Sequence, residues 1–500
     1  SSQPAYLAFT TLWMFLFGSA DWTARFWPAI TGSLLVLIPC LYRKWLGKLP
    51  ALIMALFIAL DPGLLAASLQ ADGLIMAVFF LLSALGLALA GKPALAGVAA
   101  GLALLSGPAV WQGALGLGLA VWLAAVRSGS PLEGVGREFI KSLAWRRMLI
   151  FALAAVFFAG TLFFTIPRGL SAMAASLPDY LTGWVKPSGV PALLVFLGMI
   201  LYEFLPLLLG VWRGAGGLLR RDPLDAFLFI WWAAAFLLAL VYPGRQVTGL
   251  VWPVIPLAGL AARQAVRVFQ IPDGDRLAVI GQALLSALIL GFISLTVLSI
   301  VNNPQFAGSQ EYWFRLAGAL AMLLASTGLI GWGWSRTVAL RGSIWGVLAV
   351  VILYAAAAAW NSTGLSSRQG REFWSPGRQL PEEHLLLKTI KNLSEWGPVV
   401  SGGPDLVVAG VESPALRWAL RNHSKTSYVS QLSKDAGPSL VITAEQPDLV
   451  LAATYRGQDF VLNEIPAWNS LKFGQWLRWL AFRTLPEEAV QRGRFVLWAR

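Results

Sequence analysis

The chain has 500 residues, of which 57% are hydrophobic and only 13% are charged, and its mean hydropathy is +0.66. This composition excludes a disordered chain and a string of soluble domains, and it is typical of a protein with many membrane spans. A single cysteine, Cys40, lies inside an apolar run. It therefore excludes a disulfide scaffold and a thiolate metal cluster.

The formal net charge of +13 is not spread evenly along the chain. The first 360 residues carry 22 Lys and Arg against 12 Asp and Glu, whereas the rest carry 16 against 13. The basic excess therefore belongs to the membrane part, where it orients loops, and we expect no nucleic-acid partner.

Residues 4–18 read PAYLAFTTLWMFLFG, an apolar and aromatic segment that is too short to span a bilayer. We predict an interfacial helix on the outer leaflet. Because the sequence begins with Ser1 rather than Met and without a basic and apolar leader, we expect a preceding segment. Either a cleaved signal or a first transmembrane helix would deliver Ser1 to the outer face.

About twelve apolar runs of spanning length follow, each bounded by charge, glycine or proline. The run at 94–108 is short and rich in Gly and Ala, which indicates either close helix packing or a re-entrant segment. The predicted span cores are 25–43, 50–70, 72–91, 94–108, 110–126, 147–166, 190–212, 225–242, 250–268, 278–301, 313–334 and 343–360.

Alternate loops between these runs carry 17 and 5 Lys and Arg residues, respectively. Since cytoplasmic loops are enriched in Lys and Arg, the first set is predicted to be cytoplasmic. The sequence thus predicts a multi-pass protein of the plasma (cytoplasmic) membrane in which Asp72 and everything after Trp360 lie outside.

The tail differs from the spans because short periodic elements replace long apolar runs. We predict a transmembrane domain over 1–360, a linker over 361–381 and an extracytoplasmic α/β domain over 382–500. The tail should contain helices at 382–396, 413–422 and 473–483, and strands at 398–401, 426–430, 439–443, 455–464 and 494–499.

Chemistry-bearing patterns are sparse. The two histidines, His384 and His423, both lie in the tail, which excludes a histidine-rich metal site among the spans. No P-loop, G-x-S-x-G or H-E-x-x-H pattern occurs, so nucleotide hydrolysis and zinc-peptidase chemistry lack support.

Acidic residues are rare among the spans, and those present are therefore informative. Asp61 precedes Pro62 and either caps the break that the proline introduces or has a functional role. Glu203 lies within LYEFLP and is either a hydrogen-bonded or protonated structural carboxyl or a functional one. Asp72 lies at the predicted outer end of a span, where it is either a helix cap or a functional carboxylate. One residue can have both roles.

Two arginines lie on the predicted outer side. Arg245, within YPGRQVTGL, and Arg25, within DWTARFWP, are either cations that hold a lipid phosphate or ordinary interfacial anchors.

Several segments, taken in order, carry a more specific signal: QPAY, LFGSADWTARFWPAITG, RKWLG, ALDPGLLAASLQADGLIMAVFFLL and YPGRQVTGLVWPVIPLAGLAA. They resemble the membrane glycosyltransferases that use polyprenyl-phosphate sugars, namely the protein O-mannosyltransferase and aminoarabinose transferase superfamily with the GT-C fold. The branch associated with flippase activity has a similar outer tail. The resemblance covers residues 3–125 and 225–262.

The resemblance also implies site residues. Asp72 matches the family's acidic position at the start of a transmembrane helix and is the implied catalytic residue. Arg25 matches the Arg of an A-A-R-L-P pattern, and Arg245 falls where the family places a basic residue near the donor phosphate. Asp21 and Gln3 complete the candidate substrate-binding set.

Three departures from the family pattern stand beside these matches. Gln3, Pro4 and Ala5 replace the family's H-P-P or K-P-P opening, and Gln70 stands where many members have a basic residue. The family's principal catalytic acid follows a first transmembrane helix, and both would precede Ser1.

The implied function is transfer of a sugar, with inversion, from a polyprenyl-phosphate donor to an acceptor at the outer membrane face. The alternative is a non-catalytic GT-C-like scaffold subunit of a larger complex, with the tail binding a protein partner. Ion-coupled transport has less support because Asp61 and Glu203 alone are too few acidic residues to form an ion pathway through the membrane. The bilayer and the lipid-linked sugar are the expected partners. No cofactor is identified, and a divalent cation at the donor phosphate stays open.

Overall fold

The structure, a computed structural model, describes residues 2–128, 143–269, 275–303, 306, 308–362, 372–374, 378–396, 405–423, 425–432, 437–445 and 454–500. The chain divides into two compact units, Ser1–Ser366 and Ser367–Arg500. The first unit is helical, and the second contains a sheet.

The helices of the first unit follow the apolar runs of the sequence. Two 3-10 turns, Ile38–Tyr42 and Val247–Leu250, interrupt them. The α-helices are α1 Pro4–Phe17, α2 Asp21–Leu35, α3 Arg43–Leu46, α4 Lys48–Leu60, α5 Pro62–Ser68, α6 Leu74–Leu89, α7 Pro93–Leu105, α8 Ala109–Ser128, α9 Leu143–Gly160, α10 Arg168–Thr182, α11 Ala192–Tyr202, α12 Phe204–Arg220, α13 Pro223–Val241, α14 Val251–Phe269, α15 Arg276–Asn302, α16 Gln310–Gly333 and α17 Arg336–Ser362.

Within the described residues, seven helices are long and apolar enough to cross a membrane, and nine are if each of two bent pairs forms one span. The prediction of a multi-pass helical membrane protein is confirmed. The number twelve is not confirmed, because α6 and α7 have only 16 and 13 residues. Both are shorter than the roughly 20 residues of a typical span.

Two of the predicted spans, 50–70 and 190–212, are sharply bent, the first at the break that Pro62 was expected to introduce. The axes of α4 and α5 differ by 62°, and those of α11 and α12 differ by 89°. Asp61 adopts extended backbone at the first bend because the following Pro62 disfavours the helical conformation. At the second bend, the Pro206 ring would clash with the Tyr202 carbonyl of a continuous helix, and Glu203 occupies the break.

Two shorter helices, α10 and α1, are not among the candidate membrane spans of the described residues. Helix α10 occupies a stretch that the sequence analysis left as an outer loop, and it buries Ser176 and Tyr180. Helix α1 coincides with the predicted segment 4–18, while its location on the outer leaflet stays a prediction.

Helix α14 forms the centre of the first unit. Of the apolar stretch that contains α14, 83% is buried inside the structure, whereas only 6% of the corresponding stretch of α16 is buried. The indole of Trp252 on α14 packs directly on Gly113 of α8, where a Cβ atom would overlap the ring. This close approach explains why α8 carries glycine at that position.

A four-residue ion network ties α12, α13 and α14 together at one end. Asp225 is buried and bridges two arginines, with 2.5 Å from its Oδ2 to Arg213 Nε and 2.6 Å from its Oδ1 to Arg263 Nε. Asp222 caps α13 by accepting from Leu224 N at 3.1 Å, and it also lies 3.1 Å from Arg263 Nη2. The network therefore joins the start of α13 to α12 and to α14.

Asp225→Asn should destabilise the first unit, because it leaves two largely buried guanidinium groups facing an uncharged amide. Removal of one partner from a buried ion pair costs about 3 to 5 kcal/mol. Thermal unfolding in detergent measures the loss. The control Glu311→Gln breaks the exposed pair of Glu311 with Arg315 and should cost less than about 1 kcal/mol. Equal effects of the two variants would contradict the structural role of the network.

The second unit is a mixed six-stranded sheet with strand order β1-β5-β6-β4-β2-β3. Strand β2 is parallel to β3 and β4, whereas β6 pairs antiparallel with β4 and β5. The elements are β1 Arg378–Gln379, α18 Glu383–Trp396, β2 Leu406–Ala409, α19 Pro414–Ala419, β3 Thr426–Val429, β4 Leu440–Ala444, β5 Arg456–Pro466, α20 Phe473–Phe482 and β6 Val490–Ala499.

The core of this unit lies between the sheet and the helices, where Phe460 of β5 stacks on Phe495 of β6 at 5.6 Å between ring centroids. The sequence analysis predicted the other strands but missed β2 and also β1, which has only two residues. The strand predicted at 398–401 lies outside the described residues.

Candidate functional site

Asp72 lies in the loop between α5 and α6, outside the membrane-spanning helices. Its Oδ1 accepts a hydrogen bond from Leu74 N at 2.9 Å, so the carboxylate caps the start of α6. A carboxylate has about four lone-pair sites, and one such bond leaves capacity for a further partner. Burial raises the pKa of the Asp72 carboxyl above its ordinary value, and the hydrogen bond from Leu74 N offsets part of this shift.

Gln3 lies beside Asp72. Its Oε1 accepts from Gly73 N at 2.9 Å, and its Cγ packs where a Cβ of Gly107 would stand. Gly107 has a φ of +107°, a conformation that glycine adopts without strain. Gln3 thus pins the start of α1 to the loops that precede α6 and α8.

Arg25 and Asp21 are both exposed on the first turns of α2. Tyr6 of α1 donates from its hydroxyl to Ala24 O at 3.0 Å, and it lies within electrostatic range of Arg25 and Asp72. The structure therefore brings Gln3, Arg25 and Asp72 into one neighbourhood around Tyr6.

Arg245 lies in the loop between α13 and the 3-10 turn Val247–Leu250. Its Nη1 donates to Val190 O at 3.2 Å, and Ser188 Oγ donates to Arg245 O at 2.5 Å. Arg245 Nε is buried and meets no hydrogen-bond acceptor in the part of the chain that the structure describes. An N–H group of a cation in this state is suited to an incoming anion.

Aromatic rings line the loop that holds Arg245. Tyr180 and Tyr242 stack at 4.9 Å between ring centroids, and Tyr242 donates from its hydroxyl to Tyr180 O at 2.8 Å. Trp184 packs edge-on against Tyr242 at 5.3 Å. These rings hold the backbone that precedes Arg245.

The two parts of the candidate site are joined through α5. This helix leads into the loop of Asp72, and it also packs against the 3-10 turn that follows Arg245. The sequence analysis singled out Asp72, Gln3, Arg25, Asp21 and Arg245 but missed Tyr6. A tyrosine within an aromatic helix gives no signal that separates a positioning role from packing.

A cation-binding cluster is not found among the described residues, which contain no group of three His, Cys, Asp or Glu able to hold a metal ion. The acidic side chains of the site lie on different elements, with Asp72 on the loop before α6 and Asp21 on the first turn of α2. We therefore derive no step through a metal.

An apolar cavity of about 320 Å³ lies between α4, α6, α8, α13 and α14. Leu82, Leu85 and Leu89 line it from the C-terminal half of α6. At 1.5 Å per helical residue, Leu85 lies roughly 20 Å along the chain axis from Asp72. The cavity is thus near the opposite end of α6 from the polar site.

The sequence matches no protein-family model and no curated protein. The fold is similar to two crystal structures of ArnT from Cupriavidus metallidurans. One, bound to undecaprenyl phosphate, shares 16% identity with a TM-score of 0.53, and the match covers 99% of this chain and 87% of that chain. The other, in the apo state, has the same identity and TM-score and covers 88% and 82%.

The chain has the GT-C fold. The similarity extends over nearly the whole chain. The prediction of a GT-C-like membrane protein with a C-terminal α/β region is confirmed. The roles of Asp72, Arg25, Arg245, Asp21 and Gln3 stay predictions.

The raised pKa of Asp72 gives a prediction with a definite sign. Protonation of Asp72 favours the folded state, so this contribution to stability is full below the ordinary pKa of 3.8 and is lost as pH rises through the folded-state pKa. Asp72→Asn removes the titration. We therefore expect the melting temperature of the variant, relative to the wild type, to increase between pH 4 and neutral pH.

The control for this measurement is Asp179→Asn, which alters an exposed carboxylate on α10. A difference between Asp72→Asn and the wild type that does not change with pH would show that Asp72 is not buried as described.

Proposed function

We propose that this chain is a membrane glycosyltransferase that moves a sugar from a polyprenyl-phosphate donor to an acceptor at the outer membrane face. The observation that carries the proposal is the GT-C fold of the chain, shared with an ArnT that binds undecaprenyl phosphate. Arg245 adds local support because its buried Nε has no hydrogen-bond acceptor among the described residues. A lipid phosphate oxygen is an acceptor of the required kind.

The proposed reaction is a single displacement. Asp72 takes the proton of an acceptor hydroxyl, whose oxygen forms a bond to the anomeric carbon of the sugar. The bond between that carbon and the phosphate oxygen breaks at the same time, and its electron pair leaves with the polyprenyl phosphate. Arg245 and Arg25 stabilise the negative charge on this leaving group. Attack opposite the leaving group inverts the anomeric configuration.

The same geometry accounts for a lipid substrate. The phosphate would lie among the loops around Asp72 and Arg245, while the hydrocarbon chain would run along apolar helix surfaces. The cavity lined by Leu82, Leu85 and Leu89 offers hydrocarbon walls for such a chain. Burial of hydrocarbon contributes about 25 cal/mol per Å², so the tail would supply much of the donor affinity.

Asp72→Asn tests the catalytic role because it retains the cap oxygen and removes the charge. We expect the variant to fold and to bind the donor, but to lose sugar transfer by at least about tenfold, or roughly 1.4 kcal/mol. Transfer is measured with a polyprenyl-phosphate sugar on full-length protein in vesicles. Asp179→Asn is the matched control and should transfer at the wild-type rate.

The second candidate function is a non-catalytic scaffold, and the cap geometry of Asp72 favours it. If Asp72 only caps α6, Asn should be silent in transfer and in donor binding, whereas Asp72→Ala should cost about 1 kcal/mol of stability. This result would remove Asp72 from the site. The tail would then be the part that binds a protein partner.

The orientation is part of the proposal, supported by the 17 to 5 division of Lys and Arg between alternate loops. On a Cys40→Ala background, Lys186→Cys should react with an impermeant maleimide in intact cells. Arg221→Cys should react only after the membrane is permeabilised. Both positions are exposed, so protection reflects the side of the membrane. Outside labelling of Arg221→Cys in intact cells would reverse the topology and move Asp72 to the inner face.

A further inference from the structure

Asp61 and Glu203 are two of the buried carboxyls that the proposed reaction does not use. Asp61 lies at the bend between α4 and α5, and Glu203 lies at the bend between α11 and α12. Their exposed fractions are 5% and 2%. Buried acids of this kind are costly unless each oxygen has a partner.

The partners of the four oxygens are incomplete. Asp61 Oδ1 accepts from Leu64 N at 2.7 Å. No hydroxyl or N–H donor among the described residues reaches Asp61 Oδ2 or Glu203 Oε1. The two side chains instead meet each other. Within the described residues, the charged group that acts on Glu203 is Asp61 itself, with no arginine or lysine between them.

Elementary chemistry limits what this contact can be. Ionised carboxylates only accept hydrogen bonds, and two of them in a medium of low dielectric constant repel each other strongly. One proton between the carboxyls removes the repulsion and gives both oxygens a partner. Closely coupled carboxyls hold such a proton as a pair rather than as individuals.

We propose that Asp61 and Glu203 form a proton-binding site in which one shared proton joins Asp61 Oδ2 to Glu203 Oε1 and fastens the two bent spans together. At the first bend, Asp61 also accepts a hydrogen bond from Leu64 N through its other oxygen, Oδ1. The ligand of the site is a proton, held by one carboxyl as donor and the other as acceptor.

The position of the pair gives it a consequence for the proposed function, on which this part rests. Helix α5 runs directly from Asp61 to the loop of Asp72. Helix α11, which ends just before Glu203, follows the segment containing Val190, whose carbonyl accepts a hydrogen bond from Arg245. The shared proton would therefore position the two halves of the site relative to each other.

Infrared spectroscopy of the full chain in lipid tests the proton directly. The wild type should show the stretch of a protonated carboxyl at neutral pH, with the shift expected on exchange into D2O. Glu203→Gln should lose this band, because its amide donates to Asp61 in place of the proton. The control Glu311→Gln removes an exposed carboxylate and should leave the band unchanged.

Stability gives a second readout. Glu203→Gln preserves the donor and should melt close to the wild type, whereas Glu203→Ala should lower the melting temperature by several degrees. Asp61→Asn keeps the cap to Leu64 N and should shift or abolish the infrared band even if Glu203→Ala fails to fold.

Three results would overturn the proposal: no protonated-carboxyl band in the wild type, a band unchanged by Glu203→Gln and Asp61→Asn, or stabilisation by Na⁺ that disappears with either variant. The last would assign the pair to a cation. The spectra are recorded without donor or acceptor, so they stand even if the chain transfers no sugar. Loss of transfer in Glu203→Ala alone, with the band confirmed, would separately support the positioning role.

Discussion

The need to pair every backbone N–H and C=O inside hydrocarbon is the constraint on which this structure depends. Continuous helices meet it automatically, and a break meets it only where a side chain supplies the missing partner. Asp61 does so at the start of α5, with Oδ1 accepting from Leu64 N. Asp72 does the same at the start of α6 through Leu74 N. Asp61 and Asp72 are thus helix caps first, and any chemistry is added to that role.

Caps also decide where a polar site can form. A helix that ends near water leaves loop carbonyl groups exposed. These carbonyls can accept hydrogen bonds from the N–H groups of a cationic side chain. Val190 O and the rings of Tyr180 and Tyr242 fix Arg245 in this manner. Gln3 holds the neighbouring loop through Gly73 N. The candidate site is therefore assembled from segments far apart in sequence that each end or begin a helix.

This assembly explains which features the sequence could predict. Apolar runs and Lys and Arg counts are local properties, so the multi-pass helical class and most tail elements followed from them. The contact of Asp61 with Glu203 and the ion pair of Asp225 with Arg263 join segments that are distant in sequence. No local sequence pattern predicts such contacts. Gln3 was predicted to bind substrate, whereas the structure shows its carbonyl oxygen engaged by Gly73 N. Helix α10 was not predicted, and it continues through Pro178.

The same reasoning explains how a GT-C fold persists at 16% identity. A lipid-facing position accepts Leu, Ile, Val or Phe with little difference in energy, so these positions change without altering the fold. Buried polar residues lack this freedom because each needs a specific partner. In the proposed function, the chemistry is therefore concentrated in a few side chains, above all Asp72 and Arg245. At the bends, replacement of Asp61 or Glu203 by a side chain that cannot hydrogen-bond would leave the other carboxyl buried without the partner that we propose for it.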